Sequence, residues 1–176
     1  ARGLPCHLDG ARFANALVAT GATPAEMTWQ AGIDVLSLGG TKNGCLGVEG
    51  VVLFNPEKAW ELELRRKRAG HLFSKNRFLA AQIEAYLTDG LWLRLAAQAN
   101  AMGQRLAAGL AAQGATVPDA NMLFPLWSPG THDRLEAAGA QFYRLSAPEG
   151  RERARLVTSW STTAADVDAF LAALQP

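Results

Sequence analysis

Two short apolar runs constrain the fold most, because each stops at a glycine-containing turn that carries charge. Residues 4–8 run into Asp9-Gly10-Ala11-Arg12, and residues 34–38 run into Gly39-Gly40-Thr41-Lys42-Asn43-Gly44. A brief apolar segment that ends in such a turn reads as a buried strand of a parallel sheet. Between the two runs, residues 11–20 place Phe13, Ala14, Leu17 and Val18 at helical spacing and stop at Gly21. Thr23-Pro24-Ala25-Glu26 supplies an N-cap, a first-turn proline and an acidic third position, so a short second helix is expected up to Gly32. A third strand is expected over 48–54, with Val51, Val52 and Leu53 buried, followed by a charged helix from Pro56 to Arg68. The succession predicts an α/β fold in which a mostly parallel sheet is covered by helices.

The character then changes. Residues 74–87 and 91–113 read as helices separated by Thr88-Asp89-Gly90. The second keeps Leu91, Leu95, Met102, Leu106 and Leu110 on one face and stops at Gly114. Short strands are expected at 115–117, 122–127, 141–145 and 155–160, with helices over 132–138 and 164–174. Thr163 and Asp166 make a capping box for the last helix. The chain is therefore expected to divide near Gly90, with an α/β layer over 1–90 and a compact α+β domain over 91–176.

Charge and composition narrow the partners. With 17 Lys and Arg against 16 Asp and Glu, the net charge is +1, and nothing draws the chain to nucleic acid or an anionic membrane. No apolar run approaches the ~18 residues that span a bilayer, and the start lacks a signal-peptide core. Neither nucleic acid nor membrane is expected as a partner. Cys6 and Cys45 stand in no metal-ligand spacing and read as reduced thiols of a cytoplasmic protein, although a pair leaves a disulfide open. His7 and Asp9 are two ligands, too few for a metal site; His7 reads as a satisfied strand histidine, and no metal is expected. The tryptophans, among them Trp92, Trp127 and Trp160, read as core or interface residues.

Taken singly, Lys42 is an ordinary loop lysine and Asp9 an ordinary turn residue before glycine. Together they form a pattern. The string His7-Leu8-Asp9-Gly10-Ala11-Arg12 with Asn15-Ala16 behind it, the Lys42 loop, and Arg65-Arg66-Lys67-Arg68-Ala69-Gly70-His71-Leu72-Phe73-Ser74-Lys75 resemble the L-threonine aldolase family in its bacterial low-specificity branch. Those enzymes depend on pyridoxal 5'-phosphate (PLP) and have the aspartate-aminotransferase fold, fold type I. The resemblance covers the whole chain, which corresponds to the C-terminal half of such an enzyme. Residues 1–90 then close the large PLP-binding domain, and 91–176 form the small domain.

The resemblance implies specific roles. Lys42 is the lysine that forms a Schiff base with the cofactor aldehyde. Gly39 and Gly40 let the backbone approach the cofactor, and Thr41 offers a hydroxyl to its phosphate. Asp9 faces the pyridine nitrogen and keeps it protonated, so that the ring accepts electrons. Arg12 and Arg155 are candidates for the substrate carboxylate or the ring oxygen, since a guanidinium fork fixes a carboxylate plane. Arg151 and Arg153 read instead as solvated surface residues. Arg65 to Arg68 read as the basic last turn of a helix. Lys75 and Arg77 fall where relatives form a dimer interface and reach the neighbour's phosphate. The expected substrate is a small β-hydroxy-α-amino acid such as threonine, allo-threonine or phenylserine, cleaved to glycine and an aldehyde by a homodimer or homotetramer. The ring-stacking histidine and the phosphate loop belong to the other half, so the chain alone is expected to be inactive. Two alternatives stay open: β-elimination or racemisation on the same scaffold, and a noncatalytic remnant.

Overall fold

The computed structural model describes residues 3–111 and 117–175. The chain packs as two compact units, Ala1–Leu95 and Ala96–Pro176.

In the first unit, β1 (His7–Gly10), β2 (Val35–Gly39) and β3 (Glu49–Leu53) lie in the order β1-β2-β3. β1 and β2 are parallel, with Asp9 opposite Ser37. The connection between them carries α1 (Phe13–Thr20), which begins two residues later than its apolar spacing suggests. Phe13 and Leu17 of α1 pack on Leu36 and Leu38 of β2, and Leu8, Met27, Trp92 and Leu93 close around them. Residues 23–32 do not form the expected α-helix. Thr23 and Glu26 do bond each other's backbone ends, but the segment makes only turns and a single 3-10 turn, Trp29–Ala31, ended by Gly32 at φ 86°. The reason lies at Thr28, whose backbone sits at φ −127°, ψ −106°, outside the helical region.

β3 differs from expectation in direction and burial. It runs antiparallel to β2, because the link from Gly40 to Val48 is too short for the crossover a parallel strand needs. Val51 is 51% and Val52 37% exposed, since β3 is the outer strand. The sheet of this unit therefore holds one parallel and one antiparallel pair. Asn55 caps a 3-10 turn, Pro56–Lys58, by accepting from the Glu57 amide at 3.0 Å. α2 (Ala59–Arg68) follows, and none of its residues is buried. α3 (Arg77–Leu87) begins three residues later than expected, and α4 (Leu91–Gly109) carries the boundary between the units. The expected stop of α4 at Gly114 and the strand at 115–117 fall largely on residues 112–116, outside the described residues.

In the second unit, β7 (Glu152–Val157) is the central strand. It begins three residues before the expected strand and stops at Val157 instead of Trp160. The apolar stretch 122–127 is broken at Phe124-Pro125 into β4 (Met122–Leu123) and β5 (Leu126–Trp127), both antiparallel to β7. Proline has no amide to give the ladder, and its carbonyl instead accepts from the Ala154 amide at 3.3 Å. β6 (Tyr143–Leu145) pairs with β7 as well. Leu106, Ala107 and Leu110 pack with Leu123, Trp127, Ala154 and Leu156. α5 (Thr131–Ala137) and α6 (Ala164–Ala173) add Leu135 and Val167 to that core. The capping box at Thr163 and Asp166 is present.

Candidate active site

The two charged turns meet at the ends of β1 and β2, and glycine is what lets them meet. A Cβ on Gly39 would stand 2.7 Å from the Ala11 carbonyl oxygen and 2.8 Å from its Cα. A Cβ on Gly10 would stand 2.5 Å from the Ser37 carbonyl oxygen. Both neighbours are backbone, so neither can give way. The Asp9–Arg12 turn is thus pressed against the strand end from which the Lys42 loop departs. At Gly40 the same close approach recurs, with the Val48 carbonyl oxygen 2.7 Å from a Cβ built there.

Lys42 is the middle residue of a single 3-10 turn, Thr41–Asn43, closed by Gly44 at φ 114°. Gly40 accepts from the amides of Asn43 (3.0 Å) and Cys45 (3.1 Å). The Thr41 hydroxyl donates to the Val48 carbonyl at 3.3 Å, and the Thr41 amide donates to Glu49 Oε1 at 3.2 Å. Lys42 itself is exposed and makes no hydrogen bond or ion pair among the described residues.

Asp9 is also exposed, and its Oδ1 accepts from the Ala11 amide at 3.0 Å, an Asx turn that holds the chain reversal. Its second oxygen makes no hydrogen bond among the described residues. His7 bonds Ser37 Oγ through Nε2 at 2.8 Å, which makes it a satisfied strand histidine. Arg12 is half-buried and sits immediately before α1, where its carbonyl accepts the first helical bond from Ala16 at 3.1 Å. These groups fit PLP. An unpaired amine is available to an aldehyde, an unspent carboxylate oxygen to a pyridinium N–H, and a glycine backbone without side chains to a flat ring.

The sequence model of the beta-eliminating lyase family matches residues 1–123. The chain belongs to the beta-eliminating lyase family. Among curated relatives, it is 43% identical over 170 residues to a low-specificity L-threonine aldolase of Pseudomonas sp. (strain NCIMB 10558), covering 94% of this chain and 48% of that protein. It is 42% identical over 165 residues to the low-specificity L-threonine aldolase of Pseudomonas aeruginosa, covering 91% of this chain and 46% of that one. The chain thus spans about half the length of the curated relatives it matches. A solved threonine aldolase from Leishmania major superposes with a TM-score of 0.89 at 30% identity, over 98% of this chain and 51% of that one. The serine palmitoyltransferase of Sphingomonas wittichii superposes at 0.57 with 15% identity, over 82% of this chain and 39% of that one, which shows the fold alone. The architecture is that of the fold type I PLP enzymes.

Other residues expected at the site of this beta-eliminating lyase relative are placed as follows. Arg155 lies in β7 of the second unit, with its guanidinium 4.3 Å over the Tyr143 ring. Its Nε is buried with no hydrogen-bond partner among the described residues. Lys75 and Arg77 are exposed beside the start of α3, and Arg77 stacks 4.8 Å over Phe78. No hydrogen bond joins either to Lys42, Thr41 or Asp9 among the described residues. Arg151 is not simply solvated: its guanidinium donates to the carbonyls of Leu126 (2.6 Å) and Trp127 (3.1 Å) and ties down β5. Arg153 is exposed, as expected. Asn43 and Tyr86, which no sequence pattern singled out, flank the lysine turn from within. The only available signal was an asparagine directly after the lysine.

Proposed function

We propose that this chain carries the lysine side of a PLP site in an enzyme that cleaves β-hydroxy-α-amino acids to glycine and an aldehyde. One observation carries the reading. An exposed lysine, without a partner among the described residues, stands on a turn that Gly39 locks against the Asp9 turn. When bound, PLP supplies an electron sink for the pair released as the Cα–Cβ bond breaks. Lys42 Nζ would be the amine that holds the cofactor. Asp9 holds a proton on the pyridine nitrogen through its unspent oxygen. Arg12 and Arg155 offer forked donors to the substrate carboxylate, and the unspent Nε of Arg155 supports its assignment. We assign Thr41 to the cofactor phosphate, and Lys75 and Arg77 to a subunit interface near a neighbour's phosphate.

The active form is a homodimer or homotetramer. Exposed apolar residues of the first unit support this, since Trp60, Leu64, Leu72, Phe73 and Phe78 are each at least 45% exposed. We place it in the cytoplasm, in keeping with two free cysteines. The family description itself favours a second reading, β-elimination.

Product analysis separates the two. Incubated with PLP and threonine or allo-threonine, the protein that contains this chain should release glycine and acetaldehyde in equal amounts, and Lys42→Ala should release neither. A keto acid and ammonia without glycine would favour β-elimination instead.

A further inference from the structure

Lys42 has no partner of its own among the described residues, yet the backbone on both sides of it is held. Asn43 is 3% exposed, and its Nδ2 donates to Tyr86 Oη at 2.8 Å and to the Trp92 carbonyl at 2.8 Å. The Tyr86 hydroxyl in turn donates to the Gly39 carbonyl at 3.2 Å. One phenol oxygen therefore accepts from the residue after the lysine and donates to the last residue of β2, three positions before it. Every proton in the chain is accounted for, so the network has one polarity. Tyr86 is 2% exposed, and burial raises its pKa, which keeps the donated proton in place.

The same scaffold reaches the other turn. Tyr86 meets the Trp92 ring edge-on at 6.3 Å, and Trp92 stacks on Phe13 at 6.3 Å. Phe13 is the first residue of α1, directly after Arg12. Buried Asn43, Tyr86 and Phe13, with half-buried Trp92 between the last two, thus form one line of contacts joining the Lys42 turn to the Asp9–Arg12 turn. A buried polar network of this kind rigidifies what it joins when every member is satisfied.

We propose that Tyr86 and Asn43 are positioning residues, which clamp the Lys42 turn so that its amine meets the cofactor aldehyde in register with Asp9. The role rests on the reading of Lys42 given above. It differs from plain stabilisation, because reactive groups lose rate steeply when displaced by about 1 Å.

Tyr86→Phe tests it, since the ring and its packing on Trp92 remain and only the shared oxygen goes. Thermal unfolding first establishes that the variant is folded. Hydrogen exchange is then followed, without cofactor, at the amides of Asn43 and Cys45, which both donate to Gly40. They should exchange at least about tenfold faster than in the unmodified chain, with β2 unchanged. Labelling with PLP and borohydride, followed by peptide mapping, gives the second readout. The rate of labelling at Lys42 relative to Lys58, Lys67 and Lys75 should fall roughly ten- to a hundredfold. Asn43→Ser cuts the same network from the turn side and decides the matter if Tyr86→Phe does not fold. Unchanged exchange in a folded variant overturns the proposal. Faster exchange with unchanged labelling overturns it too, because the network then only stabilises the turn. Failure of the unmodified protein to label at Lys42 is a different result: it removes the function assigned to the lysine itself, and the positioning role with it.

Discussion

Asp9 serves the fold through one carboxylate oxygen, and the proposed function assigns the other to the cofactor. Its Oδ1 closes the turn onto Ala11, while its other oxygen makes no hydrogen bond among the described residues. Asp9→Asn separates the two uses, since the amide oxygen still accepts the Ala11 proton but the charge is gone. The variant should keep its melting temperature and lose turnover by roughly 10²-fold or more, the scale on which removing one stabilising electrostatic group acts. Steady-state kinetics with threonine measure it, and near-normal kcat would reduce Asp9 to a turn residue. At this scale the sequence was most legible where neighbouring residues are grouped. Asp9, Arg12, Thr41 and Lys42 follow strand ends within a few positions, so a short string is enough to propose them as one group. Asn43 and Tyr86 are 43 residues apart and leave no periodic mark. Arg151 is exposed as expected, but its bonds to Leu126 and Trp127 left no mark for the same reason: these partners lie far back in the chain and accept through backbone that any residue would provide.

Elements were legible where their signals are local, and were missed where a partner decides. The capping box of α6 and the apolar faces of α1 and α4 are written in neighbouring residues. The direction of β3 depends on the length of its link, and the break between β4 and β5 on a single proline. The start of α5 depends on a distant strand. Glu152 of β7 accepts from the amides of Gly130 (2.8 Å) and His132 (2.7 Å), and so caps a helix that has no cap of its own. Donation from the His132 amide, with a smaller part from Gly130, holds the Glu152 carboxyl below its ordinary value. A folded pKa lower than the unfolded one contributes stability that is present above the ordinary carboxylate range and lost as pH falls through the folded value. Glu152→Gln should therefore cost about 1 kcal/mol at neutral pH. Its deficit against the unmodified chain should vanish in acid below the range around 4.5. Thermal melts of both proteins across that range measure it, and a deficit independent of pH would show that charge plays no part in the cap.

For the whole molecule, the two units differ in how well they cover their apolar surface. Among the described residues, the core around Leu110, Leu135 and Ala154 in the second unit joins ten buried residues, against four around Phe13 and Leu36 in the first. α2 buries nothing, and Trp60 is 69% exposed. A surface of that kind favours association. Sedimentation of the 176-residue chain should show self-association, which Trp60→Lys with Leu64→Lys reduces, while a piece from Ala96 onward stays monomeric. A monomeric parent chain would count against an interface on this face. Composition and caps place a division near Gly90, whereas the two compact units divide between Leu95 and Ala96. The exposed face was not legible, because a tryptophan such as Trp60 reads equally as core or interface until its coverage is seen. The claim on which all else depends is that Lys42 attaches the cofactor, and one measurement tests it directly. The protein is loaded with PLP, reduced with borohydride, digested and mapped by mass spectrometry. The account predicts a single phosphopyridoxyl group on the peptide containing Lys42. A label on Lys58, Lys67 or Lys75, with Lys42 unmodified, would contradict it.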